Sequence, residues 1–214
     1  MINQDTYILP TSYFGPVQYF SRIVSSKKII IEQYDNYSRQ TYRNRCVILG
    51  ANGPVNLSIP VKKNKHKKTL VKDIIIDYDT NWQKDHYRAI VSAYTSSPFF
   101  EFYFDEYRWV FNEKPTYLLD LNLKITEIIL AQMGIDKNLK LSDKFVFLDK
   151  ETDLRNIISP KTRLIEDVHF KPAEYTQVFS DRFGFVQNLS ILDLLFNAGP
   201  EAERILRESL GEDN

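Results

Sequence analysis

The sequence lacks the residues on which several classes of site depend. Its single cysteine, Cys46, excludes an intramolecular disulfide and any metal centre built from several thiolates. Its three histidines lie far apart along the chain, which argues against a zinc site. Seven glycines are scattered over 214 residues, and they form no glycine-rich motif of the kind that holds phosphate. We therefore expect neither a bound metal nor a cofactor.

An excess of charge and a long apolar run are also missing. The 28 Lys and Arg side chains balance the 28 Asp and Glu side chains, so no overall charge attracts nucleic acid or an anionic membrane. No apolar run approaches the roughly 20 residues that span a bilayer, and residues 1–10 have no signal-peptide core. These absences predict a soluble, cytoplasmic protein with no nucleic-acid partner and no membrane span.

The residues that are present predict a mixed α/β fold. A chain of 214 residues with 43% apolar side chains can form a single domain, over residues 1–214, without disulfides. Apolar and β-branched runs predict strands at residues 5–9, 28–32, 45–49, 55–60 and 71–77. Apolar residues at helical spacing predict helices at residues 82–95, 99–111 and 116–132. We expect a strand-rich N-terminal half with a central sheet and a helical C-terminal half.

His86 is the histidine whose position suggests chemistry. Thr80 and Gln83 match a capping box, a pattern that begins helices, and helical spacing places His86 on the same apolar face as Trp82. A histidine can act as a general base when its pKa lies near 7 and a hydrogen bond orients its ring. The residues alone leave a second interpretation open, in which His86 is a core histidine satisfied by one hydrogen bond.

Four other features each have a structural and a functional interpretation. We interpret Cys46 as a buried thiol rather than a nucleophile. The five lysines of residues 62–68 indicate a solvated loop more than a phosphate site, and the eight aromatic residues of 99–111 indicate core packing. Ser190 and Asp193 fit a helix cap, which explains them without a nucleophile.

Four blocks, in order along nearly the whole chain, resemble the WbqC-like protein family of bacteria. The blocks are LPTSYFGPVQYF (9–20), YRNRCVI (42–48) with LSIPV (57–61), WQKDH (82–86) followed by Tyr94 and PFF (98–100), and YTQVF (175–179) with NLSILDLLFNAGP (188–200). The family pattern W-x-x-x-H falls on Trp82 and His86, and its N-R pair falls on Asn44 and Arg45. The resemblance therefore marks these residues as parts of a site.

The resemblance implies a role in bacterial surface-polysaccharide biosynthesis of the O-antigen type. On that basis we expect an enzyme that transfers an acyl or aminoacyl group to an amino sugar or nucleotide sugar. His86 is the expected general base, and Arg45 is expected to hold an anionic group of the substrate while Asn44 orients it. The other expected substrate-binding residues are Tyr13, Trp82, Tyr94, Gln177 and Asn188.

A non-catalytic module that binds a glycan precursor or a biosynthetic partner is the alternative function. In that case the same residues form a polar network in the core. The two functions differ in one observable respect, which is whether His86 and Arg45 open onto one cleft or are buried with their polar groups satisfied. The sequence leaves the oligomeric state open.

Overall fold

The structure is a computed structural model that describes residues 6–62, 68–147, 152–160 and 167–210. Its strands are β1 (Thr6–Leu9), β2 (Lys28–Ile31), β3 (Arg45–Gly50), β4 (Gly53–Ser58) and β5 (Leu139–Leu141). Its α-helices are α1 (Val17–Ser25), α2 (Trp82–Tyr94), α3 (Phe100–Phe104), α4 (Arg108–Asn112), α5 (Leu118–Gln132), α6 (Ser180–Phe183), α7 (Ile191–Ala198) and α8 (Ala202–Glu208). The predicted mixed α/β class is confirmed.

The strands form two sheets. β1, β2 and β5 make a parallel sheet in the order β1-β2-β5, with Leu9 paired to Ile31 and Ile31 paired to Leu141. Because these strands are parallel, their carboxyl ends meet at one edge. Glu32 follows β2 there and is fully buried, and its carboxylate accepts hydrogen bonds from the backbone N–H groups of Tyr34 (2.7 Å) and Val146 (2.8 Å).

The second sheet is the antiparallel hairpin of β3 and β4, which correspond to the strands predicted at residues 45–49 and 55–60. Its register pairs Arg45 with Ser58 at the open end and Gly50 with Gly53 at the turn. Gly53 has φ = 111°, a backbone conformation that residues with a Cβ rarely adopt. The hairpin thus places Arg45 beside the chain that leaves β4.

The segment before α1 is fixed by residues from the other end of the fold. The backbone N–H of Val17 donates to the Leu189 carbonyl (2.9 Å), and the Ser190 hydroxyl donates to the Phe14 carbonyl (2.8 Å). The same hydroxyl accepts a hydrogen bond from the Leu192 N–H (3.3 Å) and so caps α7, as predicted. α7 and α8 both pack against α1, so the core is complete only when the N-terminal and C-terminal segments are in contact.

Two of the predicted elements are wrong in form. Residues 71–77 are not a strand, because Val71–Asp73 forms a turn of 3-10 helix and only single bridges follow, such as that between Ile75 and Tyr117. Residues 99–111 are divided into α3, a 3-10 turn over Asp105–Tyr107 and α4. Four of the eight aromatic residues of this segment are nevertheless buried and three are half-buried, whereas Phe102 is exposed at 77%.

The predicted capping box is also wrong. Asn81 is the residue before α2, and no side chain caps the helix there. The Gln83 amide instead donates to the Val110 carbonyl (2.8 Å) and the Glu113 carbonyl (2.6 Å), which ties α2 to the end of α4.

The lysines at positions 63, 65 and 67, together with His66, lie outside the described residues. Within the described ranges, no helix is long and apolar enough to cross a membrane.

Candidate functional site

An open cleft of about 610 Å³ lies beside the start of β3. It is lined by Tyr37, Arg39, Gln40, Asn44, Arg45, Ser58, Ile59, Pro60, Val61 and Asp77. Small-molecule sites commonly have volumes of about 300–1,000 Å³. Two of the residues expected in the site, Asn44 and Arg45, therefore share one cleft of suitable size.

Asn44 is held at the cleft by the chain that leaves β4. Its side-chain amide donates to the Ile59 carbonyl (2.8 Å), and its own backbone carbonyl accepts from the Ile59 N–H (2.7 Å). These bonds fix the Asn44 amide, whose buried oxygen Oδ1 has no hydrogen-bond partner among the described residues. Buried polar atoms without a partner are uncommon. Asn44 Oδ1 is therefore an acceptor that can take a hydrogen bond from a ligand.

Arg45 differs from the arginine two positions before it. Arg43 is buried, and its guanidinium donates to the Asp35 carboxylate at 2.8 Å. The guanidinium of Arg45 is half-buried on the cleft wall, and within the described chain it makes neither an ion pair nor a hydrogen bond. An arginine without a partner on a cleft wall is able to bind an anion in a bidentate fork.

A second arginine also lines the cleft. Arg39 is an exposed lining residue. Two lysines are sequence neighbours of residues at its edge, since Lys62 follows the lining residue Val61, and Lys68 precedes Thr69, whose carbonyl accepts from the N–H of the lining residue Tyr37 (2.9 Å). Burial raises the pKa of Tyr37 to about 12 despite the nearby arginines, so its hydroxyl is neutral at pH 7.

His86 lies behind this cleft rather than in its lining. Its ring is only 4% exposed and packs edge-on against Trp82, with ring centroids 5.2 Å apart. The Tyr13 hydroxyl is 3.0 Å from His86 Nδ1, and the ring also hydrogen-bonds to the backbone of Ser58. Burial lowers the pKa of His86 to about 4, so the imidazole is neutral at pH 7.

Ser58 connects the histidine to the cleft. Its backbone contacts the His86 ring, it is paired in register with Arg45, and its exposed side belongs to the cleft lining. Tyr13, Trp82 and His86 therefore form a buried cluster that supports the wall on which Arg45 lies. Sequence reasoning placed Tyr13, Trp82, His86 and Arg45 in one site. In the structure Arg45 lies on the cleft wall, and the other three residues lie behind that wall.

Tyr94 and Gln177 belong to a different polar cluster, centred on Asp193. The Oδ2 oxygen of Asp193 accepts hydrogen bonds from the Tyr175 hydroxyl (2.8 Å) and the Gln177 amide (2.8 Å), whereas Oδ1 is buried without a hydrogen-bond partner among the described residues, and the Tyr94 hydroxyl lies beside the carboxylate. Burial raises the pKa of Asp193, although these neighbouring donors oppose the shift. The side chains of Tyr94 and Gln177 are thus engaged with buried partners.

Asn188 belongs to a third cluster, at the start of α1. Its side-chain oxygen accepts from the Gln18 N–H (3.0 Å), and its φ of 56° lies in the left-handed region that asparagine tolerates. The Gln18 amide in turn donates to Asp167 (2.9 Å), which also forms a buried ion pair with Arg22. The proposal that Asn188, Tyr94 and Gln177 bind sugar remains a prediction.

Sequence reasoning did not find Tyr37, Ser58 or Asp77 as cleft residues. Asp77 lies just beyond the run of three isoleucines, which predicted a strand and gave no indication of a site.

Cys46 is buried as predicted, and burial raises the pKa of its thiol, so the thiol is poorly suited to be a nucleophile. In the part of the chain that the structure describes, no group of three His, Cys, Asp or Glu side chains could hold a metal.

The chain thus has a mixed α/β fold and a cleft at the β3–β4 hairpin that is lined by two arginines and mostly polar side chains. The profile of the WbqC-like protein family matches residues 11–165 and 163–205 of the chain. The protein belongs to that family, as its sequence blocks predicted. It is also similar to Rv1507c of Mycobacterium tuberculosis, a protein described as uncharacterized, with 26% identity over 226 residues that cover 94% of this chain and 96% of the relative. No solved structure matches the chain.

Proposed function

We propose that the protein binds a nucleotide-linked sugar in the cleft and transfers an acyl or aminoacyl group to an amino group of that sugar, as a step of surface-polysaccharide biosynthesis. The observation that carries the binding part is the position of Arg45. Its guanidinium has no protein partner in the described chain and lies on the wall of a cleft of about 610 Å³. The polysaccharide context comes from the family resemblance.

The charges around the cleft support an anionic ligand. Arg39 and Arg45 line it, and Lys62 directly follows the lining residue Val61, whereas Asp77 is the one acidic residue among the described lining residues. The diphosphate of a nucleotide sugar carries about two negative charges and offers oxygen acceptors in the arrangement that arginine side chains bind. Neutral lining groups such as Asn44 and Gln40 suit sugar hydroxyls.

The proposed transfer consumes an activated acyl thioester or ester. The amine nitrogen of the sugar forms a bond to the acyl carbonyl carbon, the bond from that carbon to sulfur or oxygen breaks, and an amide results. One proton leaves the amine, and the departing thiolate or alkoxide takes up one proton. In this proposal His86 is the base, and because Ser58 touches both His86 and the cleft, that role requires the Ser58 segment to admit the amine to the ring.

A second candidate is a non-catalytic module that binds a glycan precursor. The enclosure of His86 favours it, because the ring is held by Tyr13, Trp82 and Ser58 and has a pKa of about 4. A general base that works near neutral pH is expected to have a pKa nearer to 7. In this case His86 supports the cleft wall and does not take up a substrate proton.

The binding experiment uses calorimetry with uridine, guanosine and thymidine diphosphates. We expect at least one to bind the wild type, and Arg45→Ala to weaken that binding by about tenfold or more, since a hydrogen bond to a charged group contributes about 1.5–3 kcal/mol. The matched control is Arg108→Ala, which removes an exposed arginine paired with Asp105 outside the cleft. Absence of binding by all three nucleotides, or equal binding by Arg45→Ala, contradicts the proposal.

The choice between enzyme and module needs a product assay. The protein is incubated with UDP-glucosamine and either acetyl coenzyme A or an alanyl thioester, and mass spectrometry detects the amide. Product formed by the wild type and lost in a folded His86→Gln variant supports transfer with His86 as the base. Product that His86→Gln forms at the wild-type rate removes His86 from the chemistry, and binding without product supports the module.

A further inference from the structure

Asp77 is the carboxylate of the cleft, and its backbone is fixed on the far side of the segment 58–61. Its N–H donates to the Pro60 carbonyl (2.9 Å), and Val61 bridges to Ile76 beside it. One of its carboxylate oxygens, Oδ1, accepts from the Asp79 N–H at 3.0 Å. The other oxygen, Oδ2, has no partner among the described residues and so keeps an acceptor available at the cleft.

The charged groups of the cleft follow a fixed order along this segment. Arg45 is paired with Ser58, Asn44 with Ile59, and Asp77 with Pro60. Ser58 and Pro60 are about 7 Å apart along extended backbone, and Arg45 and Asp77 are attached on opposite sides of this segment, each one strand spacing of about 4.8 Å away, so their attachment points are separated by roughly 12 Å. The cleft therefore presents a cation on one side of the segment, beside the Asn44 amide, and a carboxylate on the other side.

We infer that Asp77 binds a primary ammonium group, so that the cleft selects a sugar that carries both an anionic group and an amine. This inference rests on the binding part of the proposed function and adds to it a residue that determines specificity: Asp77 binds the protonated amine, which must leave Asp77 and lose its proton before it attacks the acyl group. The anion is bound at Arg45, and the ammonium at the other end is bound by Asp77. Because a carboxylate repels a ligand that is anionic throughout, we expect a ligand without an amine to bind less tightly.

The local hydrogen bond of Asp77 makes one substitution well suited to a test. Asp77→Asn removes the negative charge but keeps an oxygen that can accept from the Asp79 N–H, so the turn at 77–79 is preserved. Asp73→Asn is the matched control, since Asp73 is an exposed aspartate in the 3-10 turn Val71–Asp73 and is not a lining residue. Both variants change one carboxylate into an amide.

The test compares glucosamine 1-phosphate with glucose 1-phosphate by calorimetry, because the two probes differ only in the amine. We expect the wild type and Asp73→Asn to bind the amino sugar about tenfold more tightly, in line with a hydrogen bond between charged groups. Asp77→Asn should bind both sugar phosphates equally. Equal binding by the wild type, or a preference that survives in Asp77→Asn, overturns the inference.

The outcomes of these binding experiments distinguish failure of this inference from failure of the proposed function. If the wild type binds neither sugar phosphate and no nucleoside diphosphate, Arg45 does not form an anion site, and both the proposed function and the role of Asp77 are overturned. If both sugar phosphates bind equally and depend on Arg45, only the role of Asp77 is overturned. Glycine is the third probe, and binding of glycine that depends on Asp77, without discrimination between the sugars, would assign the carboxylate to a free amino acid and overturn selection of an amino sugar.

Discussion

The two ends of strand β3 hold polar groups in opposite states. At its first residue, Arg45 lies on the cleft wall with a guanidinium that has no partner in the described chain. Near its other end, the Leu49 N–H donates to the Tyr94 hydroxyl (3.4 Å), which lies beside the buried carboxylate of Asp193. The two positions are roughly 13 Å apart along the strand, at about 3.3 Å per residue.

The comparison shows that two residues marked by the same family resemblance can have different roles, one at the cleft and one in the core. The family resemblance marks Arg45 and Gln177 equally, but Gln177 donates to Asp193 and to the Val186 carbonyl inside the protein. A polar group whose hydrogen bonds are all made within the fold contributes to stability and has little left for a ligand. A polar group that the fold leaves without a partner at a cleft contributes little to stability and is available for binding.

Removing the carboxylate at the Asp193 end should cause the largest loss of stability. Asp193→Ala leaves the Tyr94, Tyr175 and Gln177 side chains buried without their shared acceptor, so the free energy of unfolding should fall by about 3 kcal/mol or more. Arg45→Ala is the matched variant at the other end and should change it by about 0.5 kcal/mol or less. Denaturant titration measures both, and equal losses would break the comparison between the two ends.

The His86 cluster behind the cleft should give a smaller effect that depends on pH. Because the folded-state pKa of about 4 lies below the ordinary value of 6.5, this group contributes stability that is fully present above pH 6.5 and is lost as pH falls to 4. The expected loss is about 3 kcal/mol at most. His86→Gln should remove that part of the pH dependence and should lower stability at pH 7 by about 1–3 kcal/mol through an unpaired Tyr13 hydroxyl.

The control for this experiment is another histidine. The free energy of unfolding of the wild type, His86→Gln and His169→Gln is measured from pH 7.5 to pH 4. The assignment to His86 requires that His169→Gln keep the wild-type dependence. A His86→Gln protein that follows the wild-type curve would show that the buried ring does not titrate as its surroundings predict.

The smallest effect is expected at the residue next to Arg45. Cys46 points into the core, and burial raises the pKa of its thiol, so a disulfide reagent such as Ellman's reagent should label the native protein only as fast as it unfolds. Ser58→Cys in a Cys46→Ala background places a thiol at an exposed cleft position and should react within minutes. Rapid labelling of native Cys46 would show that the inner face of β3 is open.

The local elements could largely be predicted, because their signals lie in neighbouring residues. Trp82, His86 and Ile90 recur at helical spacing, and α2 has them on its buried face. The strand predicted at 71–77 failed because a β-branched run specifies burial more than pairing, and no continuous partner strand lies beside it. Gln83 was taken for a cap, but its partners Val110 and Glu113 come from another helix.

The site could be predicted only in part, because its geometry depends on segments distant in sequence. Asn44 and Arg45 were found through the resemblance, whereas Asp77 joins them only because its N–H bonds to Pro60. The position of His86 on the apolar face was correct, and its enclosure depends on Tyr13, which is 73 residues away. Periodicity finds which side of a helix is buried, but it does not find which buried residues face a cleft.

The contact between Ser190 and Phe14 has a consequence during synthesis on the ribosome. The two residues are 176 positions apart, and at about 5–20 residues per second the ribosome needs roughly 10 to 35 seconds to make the second after the first. Throughout that interval the Phe14 carbonyl and the Val17 N–H lack the partners that Ser190 and Leu189 supply in the fold. The segment before α1 thus reaches its native hydrogen bonding only after residue 190 has been made, although Trp82 and Tyr107, against which Tyr13 and Phe14 pack, are made much earlier.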